Sequence, residues 1–318
     1  MKNLITGLHH VTAMADSSQQ NLAFYAGILG LRLVKKTVNF DAPEVYHLYY
    51  GDQEGSPGSI LTFFPFAGLR KGVHGSGQMT NTSFSIPSNA LDYWQQRLQK
   101  FNIKYNQPDE RLDGEVYIKF QDFDGLGLEL VANDNDGRPG IADGPVPSHY
   151  SVRGFHSATL SVSDLDTTGE ILTTLLDYKI NKHKNNRIRL SPMSVSSKGQ
   201  FVDLITGTQR GMSGSGTVHH LAFATASDED QLQVRERIEN RGLQITPVLD
   251  RQYFHSVYFR EPGGILFEVA TNPPGFSIDE PVESMGQSLK LPEWIEPQRK
   301  SLELKLEDLN IDLAKYKD

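Results

Sequence analysis

The chain carries two histidine doublets, His9-His10 and His219-His220, and one glutamate, Glu268, inside the apolar run Gly264-Ile-Leu-Phe-Glu-Val-Ala270. A carboxylate in such a run is costly to bury unpaired, because the charge loses its hydration. A bound cation offsets that cost, and imidazoles are common companions of a carboxylate at a metal. There is no cysteine. Thiolate metal sites, disulfides and a cysteine nucleophile are therefore excluded, and any metal takes nitrogen and oxygen ligands. A lone histidine in a strand is ordinarily a satisfied polar group. For Glu268 the competing reading is a buried ion pair.

The elements that must position these residues repeat. Four segments begin with a strand-like run: Leu8 to Ala13, Thr80 to Ile86, Gly154 to Val162 and Val218 to Thr225. Each leads to a cap (Asp16 or Ser17, Ser88, Asp164, Ser227) and then to a helical pattern. The helices are expected over Gln19 to Ile28, Ala90 to Phe101, Leu165 to Leu176 and Asp230 to Arg241. Strand-like stretches follow, and each unit closes on a glycine-led apolar strand. These are Gly58-Ser-Ile-Leu-Thr62, Gly125-Leu-Gly-Leu-Glu129, Gly199-Gln-Phe-Val-Asp203 and Gly264-Ile-Leu-Phe-Glu268. Aligned on itself, the repeat puts His10, Asn81, His156 and His220 at one first-strand position. It puts Thr62, Glu129, Asp203 and Glu268 at one last-strand position. Both doublets then occupy equivalent places, which is hard to ascribe to chance.

Four βαβββ units in one chain resemble the vicinal-oxygen-chelate superfamily, which includes extradiol dioxygenases, glyoxalase I and fosfomycin-resistance proteins. The resemblance covers residues 4–272. It implies an α+β fold in which paired units curl into incomplete barrels around a metal, with ligands from the two repeat positions above. Units one and four together offer His10, His220 and Glu268, with Thr62 as a weak fourth group; two histidines and one carboxylate make a facial triad with open positions suited to ferrous oxygenase chemistry. Units two and three offer Asn81, Glu129, His156 and Asp203, which looks degenerate, so a buried ion pair is favoured for Glu129. Units three and four offer His156, Asp203, His220 and Glu268, a glyoxalase-like set that stays open as a competitor.

A closer resemblance is to hydroquinone ring-cleaving dioxygenases, including bacterial proteins linked to quinone resistance. It is carried by Gly7-Leu-His-His-Val-Thr12, Val45-Tyr-His-Leu-Tyr-Tyr50, Arg153-Gly-Phe-His-Ser157, Val218-His-His-Leu-Ala-Phe223 and Tyr258-Phe-Arg-Glu-Pro-Gly-Gly-Ile-Leu-Phe-Glu268. That resemblance implies His10, His220 and Glu268 as metal ligands, with His9, Thr12, His219, Arg251 and Tyr258 around them. The implied cofactor is Fe(2+), with Mn(2+) as the alternative. The implied partners are an aromatic diol and O2, in detoxification or catabolism. For His9 and His219 a structural role weighs as much as a functional one, since neighbouring strand residues point oppositely unless the strand bulges. His47 and His255 are further, weaker candidates. A glyoxalase-like lyase or isomerase, or a non-enzymatic aromatic-binding protein, are the alternative functions.

Length and composition bound the rest. The 318 residues carry 31 Lys+Arg against 39 Asp+Glu, a formal net charge of −8. That gives no basic face for nucleic acid. The densest basic cluster, Lys182 to Arg189, is broken by Asn185 and Asn186 and reads as a solvated hairpin. Residues 1–132 are expected as one half of two units, 133–151 as a linker, and 152–273 as the second half. Residues 274–318 are an extension whose segment Pro292 to Lys317 reads as a charged, partly amphipathic helical tail. No apolar run suits a membrane span or a signal-peptide core, so a cytoplasmic protein is expected, and a homo-oligomer is compatible with the sequence.

Overall fold

The computed structural model describes residues 2–112, 114–194 and 200–318. Gly199, the expected leader of the third closing strand, lies outside them. Unit one holds β1 (Ile5–Ala15), β2 (Arg32–Asn39), β3 (Ala42–Gly51) and β4 (Ile60–Pro65). Unit two holds β5 (Gln78–Ile86), β6 (Asp109–Arg111), β7 (Glu115–Gln121) and β8 (Gly127–Ala132). Unit three holds β9 (Phe155–Val162), β10 (Tyr178–Lys184), β11 (Arg187–Pro192) and β12 (Phe201–Thr206). Unit four holds β13 (Thr217–Thr225), β14 (Leu249–Asp250), β15 (Phe254–Arg260) and β16 (Leu266–Pro274).

Two eight-stranded sheets result, in the orders β14-β15-β16-β13-β1-β4-β3-β2 and β10-β11-β12-β9-β5-β8-β7-β6. Units one and four share the first sheet, and units two and three share the second. In every unit the first strand pairs parallel with the last, and first strands of facing units pair antiparallel. This is the expected α+β arrangement of curled, paired modules. Each sheet draws one unit from residues 1–132 and one from residues 152–273.

Each first strand is followed by a helix that covers apolar side chains of the sheet: α1 (Ser18–Leu22), α2 (Leu91–Lys100), α3 (Leu165–Thr174) and α4 (Asp228–Asn240). Ser17, Asp164 and Ser227 accept hydrogen bonds from main-chain N–H groups of the first turn, as capping residues do. Ser88 does not cap. Its hydroxyl goes to Asp134, and the chain enters α2 through a 3-10 turn over Ser88–Ala90. The helix of unit one leaves α geometry after Leu22 and finishes as a π turn over Ala23–Ile28. The C-terminal extension is helical only in short pieces. These are α5 (Arg299–Glu303) and 3-10 turns at Glu296–Gln298 and Leu313–Tyr316. Among the described residues no helix is long and apolar enough to cross a membrane.

The basic cluster behaves differently from a solvated hairpin. Its tip is exposed, but Arg189 is buried and donates to Asp203 from Nε and Nη2 at 2.7 Å each. Asp203 also takes Arg187 Nη1 at 2.7 Å, and Arg189 reaches Glu115. Glu129 accepts from Ser83 Oγ at 2.7 Å and lies 2.7 Å from Arg111 Nη1. The middle of the second sheet is thus filled by three carboxylates and three guanidiniums. Such pairing is what lets buried charge persist without a metal. The buried ion pair favoured for Glu129 is what the structure contains.

Candidate metal centre

The parallel pairings give the true register of the repeat. Thr12 stands opposite Thr62, Ser83 opposite Glu129, Thr159 opposite Asp203, and Ala222 opposite Glu268. Two residues earlier on the same strands come His10, Asn81, Ser157 and His220. His156 was expected at this position, and the register corrects it by one residue: Ser157 is the equivalent of His10. His156 matches His9 and His219 instead.

The cause is a β-bulge in each first strand. Leu8 pairs with Phe223 and His10 with Ala222, leaving His9 unpaired. Thr12 pairs with His220 and Ala13 with Val218, leaving His219 unpaired. Thr80 and His156 are the extra residues in the second sheet. A bulge re-aims side chains that strict alternation would send to opposite faces. It therefore lets both rings of each doublet meet. Nδ1 of His9 lies 2.8 Å from Nδ1 of His10, and His219 and His220 repeat the contact at 2.8 Å. His156 Nδ1 sits 3.2 Å from Ser157 Oγ, the same relationship with no second imidazole.

These contacts leave Nε2 of His10 and Nε2 of His220 facing one another at 3.1 Å. Glu268, fully buried on β16, brings Oε2 to 2.8 Å from His220 Nε2 and 3.3 Å from His10 Nε2. Ser256 Oγ donates to its other oxygen, Oε1. Among the described residues no hydrogen bond of good angular geometry reaches Oε2, so its charge is met by the two facing imidazoles. Three lone-pair donors converge there, and one ligand atom from each residue lies within 4.8 Å of the others. Donors about 3 Å apart match one face of an octahedron with metal bonds of ~2.1 Å. Burial raises the Glu268 carboxyl, but His10 and His220 outweigh it and hold the group well below the usual range. The donor set therefore fits a divalent cation, and a two-histidine, one-carboxylate face suits ferrous iron or manganese.

Were Nε2 of His10 to hold a cation, its Nδ1 would carry the proton and donate to His9. The His9 ring in turn meets the Thr271 main chain. Burial, and then His10, push His9 down to about 3, so it stays neutral. Burial and His220 push His219 down to about 4. Neutral rings in these places can fix the tautomer and orientation of His10 and His220.

The metal face opens into a cavity of about 590 Å³, large enough for a single aromatic ring. Phe254 packs on both His9 and His10, with ring centroids 5.0 and 5.1 Å apart. Tyr258 stands directly opposite Glu268 across β15 and β16, as its place beyond the Pro-Gly-Gly turn implies. Arg251 Nε donates to Tyr258 Oη at 3.3 Å, and its Nη1 reaches Asp41 at 3.3 Å across the cavity mouth. Burial, and then Glu268, raise the Tyr258 phenol, which keeps its proton. Thr12 is buried and shares a hydrogen bond with Thr62 at 2.9 Å, so Thr62 is occupied by protein rather than offered as a fourth ligand.

Of the eight expected site residues, Arg251 directly follows β14 and the other seven lie on strands of the first sheet. The competing four-donor set does not: His156 lies 3.3 Å from Glu115 and Asp203 is held by arginines, both on the second sheet. His47 lines the cavity, whereas His255 pairs with Asp228 at the surface. Phe254, Ser256, Tyr49 and Asp41 were missed. An alternation argument applied to β15 finds Ser256 and Tyr258 on one face. Asp41 offers no signal in the sequence, and Tyr49 stands out only as part of the motif Val45 to Tyr50.

The sequence matches the model of the Glyoxalase/Bleomycin resistance protein/Dioxygenase superfamily over residues 7–130 and 154–269. It is similar to a Bacillus subtilis (strain 168) protein provisionally named ring-cleaving dioxygenase MhqO. Identity is 45% over 298 residues, spanning 93% of this chain and 94% of that one. It is also similar to the chlorohydroquinone/hydroquinone 1,2-dioxygenase of Sphingobium indicum. Identity there is 34% over 304 residues, spanning 92% of this chain and 93% of that one. Among solved structures, a provisionally assigned dioxygenase from Bacillus subtilis subsp. subtilis str. 168 superposes with a TM-score of 0.93. It is 43% identical, and the match covers 98% of this chain and 99% of that one.

Proposed function

Because the chain belongs to the glyoxalase/bleomycin resistance protein/dioxygenase superfamily, and is a ring-cleaving dioxygenase within it, we propose that it holds one ferrous ion on His10, His220 and Glu268 and opens hydroquinone-type rings with both atoms of O2. One observation supports the metal: Glu268 Oε2 is buried 2.8 and 3.3 Å from two imidazole nitrogens, so that three donor atoms converge on one point. The substrate class is supported by the similar protein named for hydroquinones.

A divalent ion held by His10, His220 and Glu268 would supply an electron path between ring and dioxygen and favour a deprotonated diol oxygen. The residues of this chain do the rest. Phe40, Phe64 and Phe254 wall the cavity, take the flat ring and exclude water. Tyr258 keeps its proton and donates it in a hydrogen bond to a ring oxygen. Arg251 donates to the same phenol and places its charge where negative charge develops on the substrate, in surroundings with little water to screen it. Holding the reactants side by side removes the entropy of bringing them together.

The test is anaerobic loading with ferrous iron, then oxygen uptake with matched panels of hydroquinones and catechols, with manganese-loaded protein beside it. Uptake on hydroquinones with iron supports the reading. Full iron loading with no uptake on any aromatic diol rejects it.

A further inference from the structure

Four side chains that cross two strand pairings form an unbroken hydrogen-bonded row beside the metal face. Tyr49 Oη lies 2.8 Å from His47 Nδ1, His47 Nε2 lies 2.8 Å from Thr62 Oγ1, and Thr62 Oγ1 lies 2.9 Å from Thr12 Oγ1. Tyr49 pairs with Thr62 across β3 and β4, and Thr12 pairs with Thr62 across β1 and β4. Thr12 also stands directly opposite His220 on β13 and two residues from His10, so it shares their face of the sheet. Burial keeps the His47 ring neutral and the Tyr49 phenol protonated.

Counting protons fixes what this row can do. Two threonine hydroxyls, one phenol and one neutral imidazole carry four mobile protons. The row contains three hydrogen bonds. One proton is left over, and it sits at one end when Thr62 donates along the row rather than accepting from both neighbours. If His47 donates to Tyr49, the direction reverses along the row and the spare proton belongs to Tyr49. Tyr49 packs against Tyr253 and Phe276 and lines the cavity, and its hydroxyl has no other protein partner among the described residues. If Tyr49 donates to His47, the spare proton belongs to Thr12, on the His10 and His220 face of the sheet. A phenol is the more acidic partner of an imidazole and so the better donor, which selects the second direction.

We propose that Tyr49, acting through His47 and Thr62, sets the Thr12 hydroxyl as a hydrogen-bond donor toward the face of His10, His220 and Glu268. There it holds an acceptor oxygen, of dioxygen or of the diol. Tyr49, His47 and Thr62 are then positioning residues for the ring-opening reaction, and the inference rests on the dioxygenase reading above.

The experiment is a double-mutant cycle on the ferrous protein, read by iron content, by turnover and by two anaerobic titrations. One titration uses hydroquinone and the other nitric oxide, which stands in for dioxygen. Thr12→Val and Tyr49→Phe should each keep iron and weaken one titration about tenfold, the size of one buried hydrogen bond. A loss for nitric oxide assigns the donor to dioxygen, and a loss for hydroquinone assigns it to the diol. The double variant should be no weaker than Thr12→Val alone, because Tyr49 acts only through Thr12. Thr12→Ser, which keeps the hydroxyl, should restore most of the binding. Additive losses, or unchanged titrations with both single variants, overturn the proposal. A wild-type protein that shows this pattern of binding yet never consumes oxygen rejects the dioxygenase reading and leaves the relay standing.

Discussion

Ser256 donates its hydroxyl to Oε1 of Glu268 from the neighbouring strand, which leaves Oε2 alone to face the two imidazoles. The serine fixes which oxygen points inward and keeps the other from competing for the cation. Ser256→Ala should therefore lower iron affinity by about 10–100-fold, the usual cost of losing a group that orients a ligand. A competitive chelator titration measures it, and an affinity equal to wild type contradicts this role.

His10→Ala should abolish iron retention, while His156→Ala should leave iron content near wild type. The first removes one of three donors. The second touches a ring packed against Glu115 and Arg189 on the other sheet. Metal analysis after gel filtration decides it, and the opposite ranking would place the metal in units two and three.

Tyr258→Phe should reduce turnover more than iron content, because ring packing is kept and only the hydroxyl is lost. Arg251→Lys should also be impaired. It keeps charge but loses the planar guanidinium that reaches Tyr258 and Asp41 at once. Steady-state kinetics on iron-quantified protein check both, and equal fractional loss of iron and activity would reduce Tyr258 to a structural role.

Acid should weaken the metal-free protein through its buried histidines. Burial lowers His156 from 6.5 to about 4, so between those values the unfolded chain binds a proton that the folded chain refuses. Stability then falls as pH drops through that window and is fully present above it. His156→Gln removes this dependence, so its stability should fall less steeply, by up to about 1.4 kcal/mol per pH unit. Urea unfolding of both apo-proteins at several pH values measures the slopes, and identical slopes refute the assignment.

Much of this centre was legible in the residues. The doublets and Glu268 stood out because polar groups repeat inside apolar strands, and pairing units one and four gave the triad. The bulges were not legible. Strict alternation sends His9 and His10 to opposite faces, and one extra residue per strand reverses that and moves His156 out of register with His10. The fill of the second sheet was hidden for another reason. Arg187 and Arg189 meet Asp203 across the consecutive strands β11 and β12, but Arg189 reaches Glu115 only once units two and three pair. Arg189, at the end of a basic run, gives no sign in sequence that it turns inward. The Tyr49-His47-Thr62 row likewise exists only across strands.

The central claim is one ferrous centre on His10, His220 and Glu268 that opens hydroquinone rings. Oxygen consumption by ferrous-loaded protein, titrated with hydroquinone and separately with catechol, tests it most directly. The account predicts one O2 consumed per hydroquinone, at a rate proportional to bound iron and greater than with catechol. Oxygen uptake with catechols alone, from protein fully loaded with iron, would contradict it.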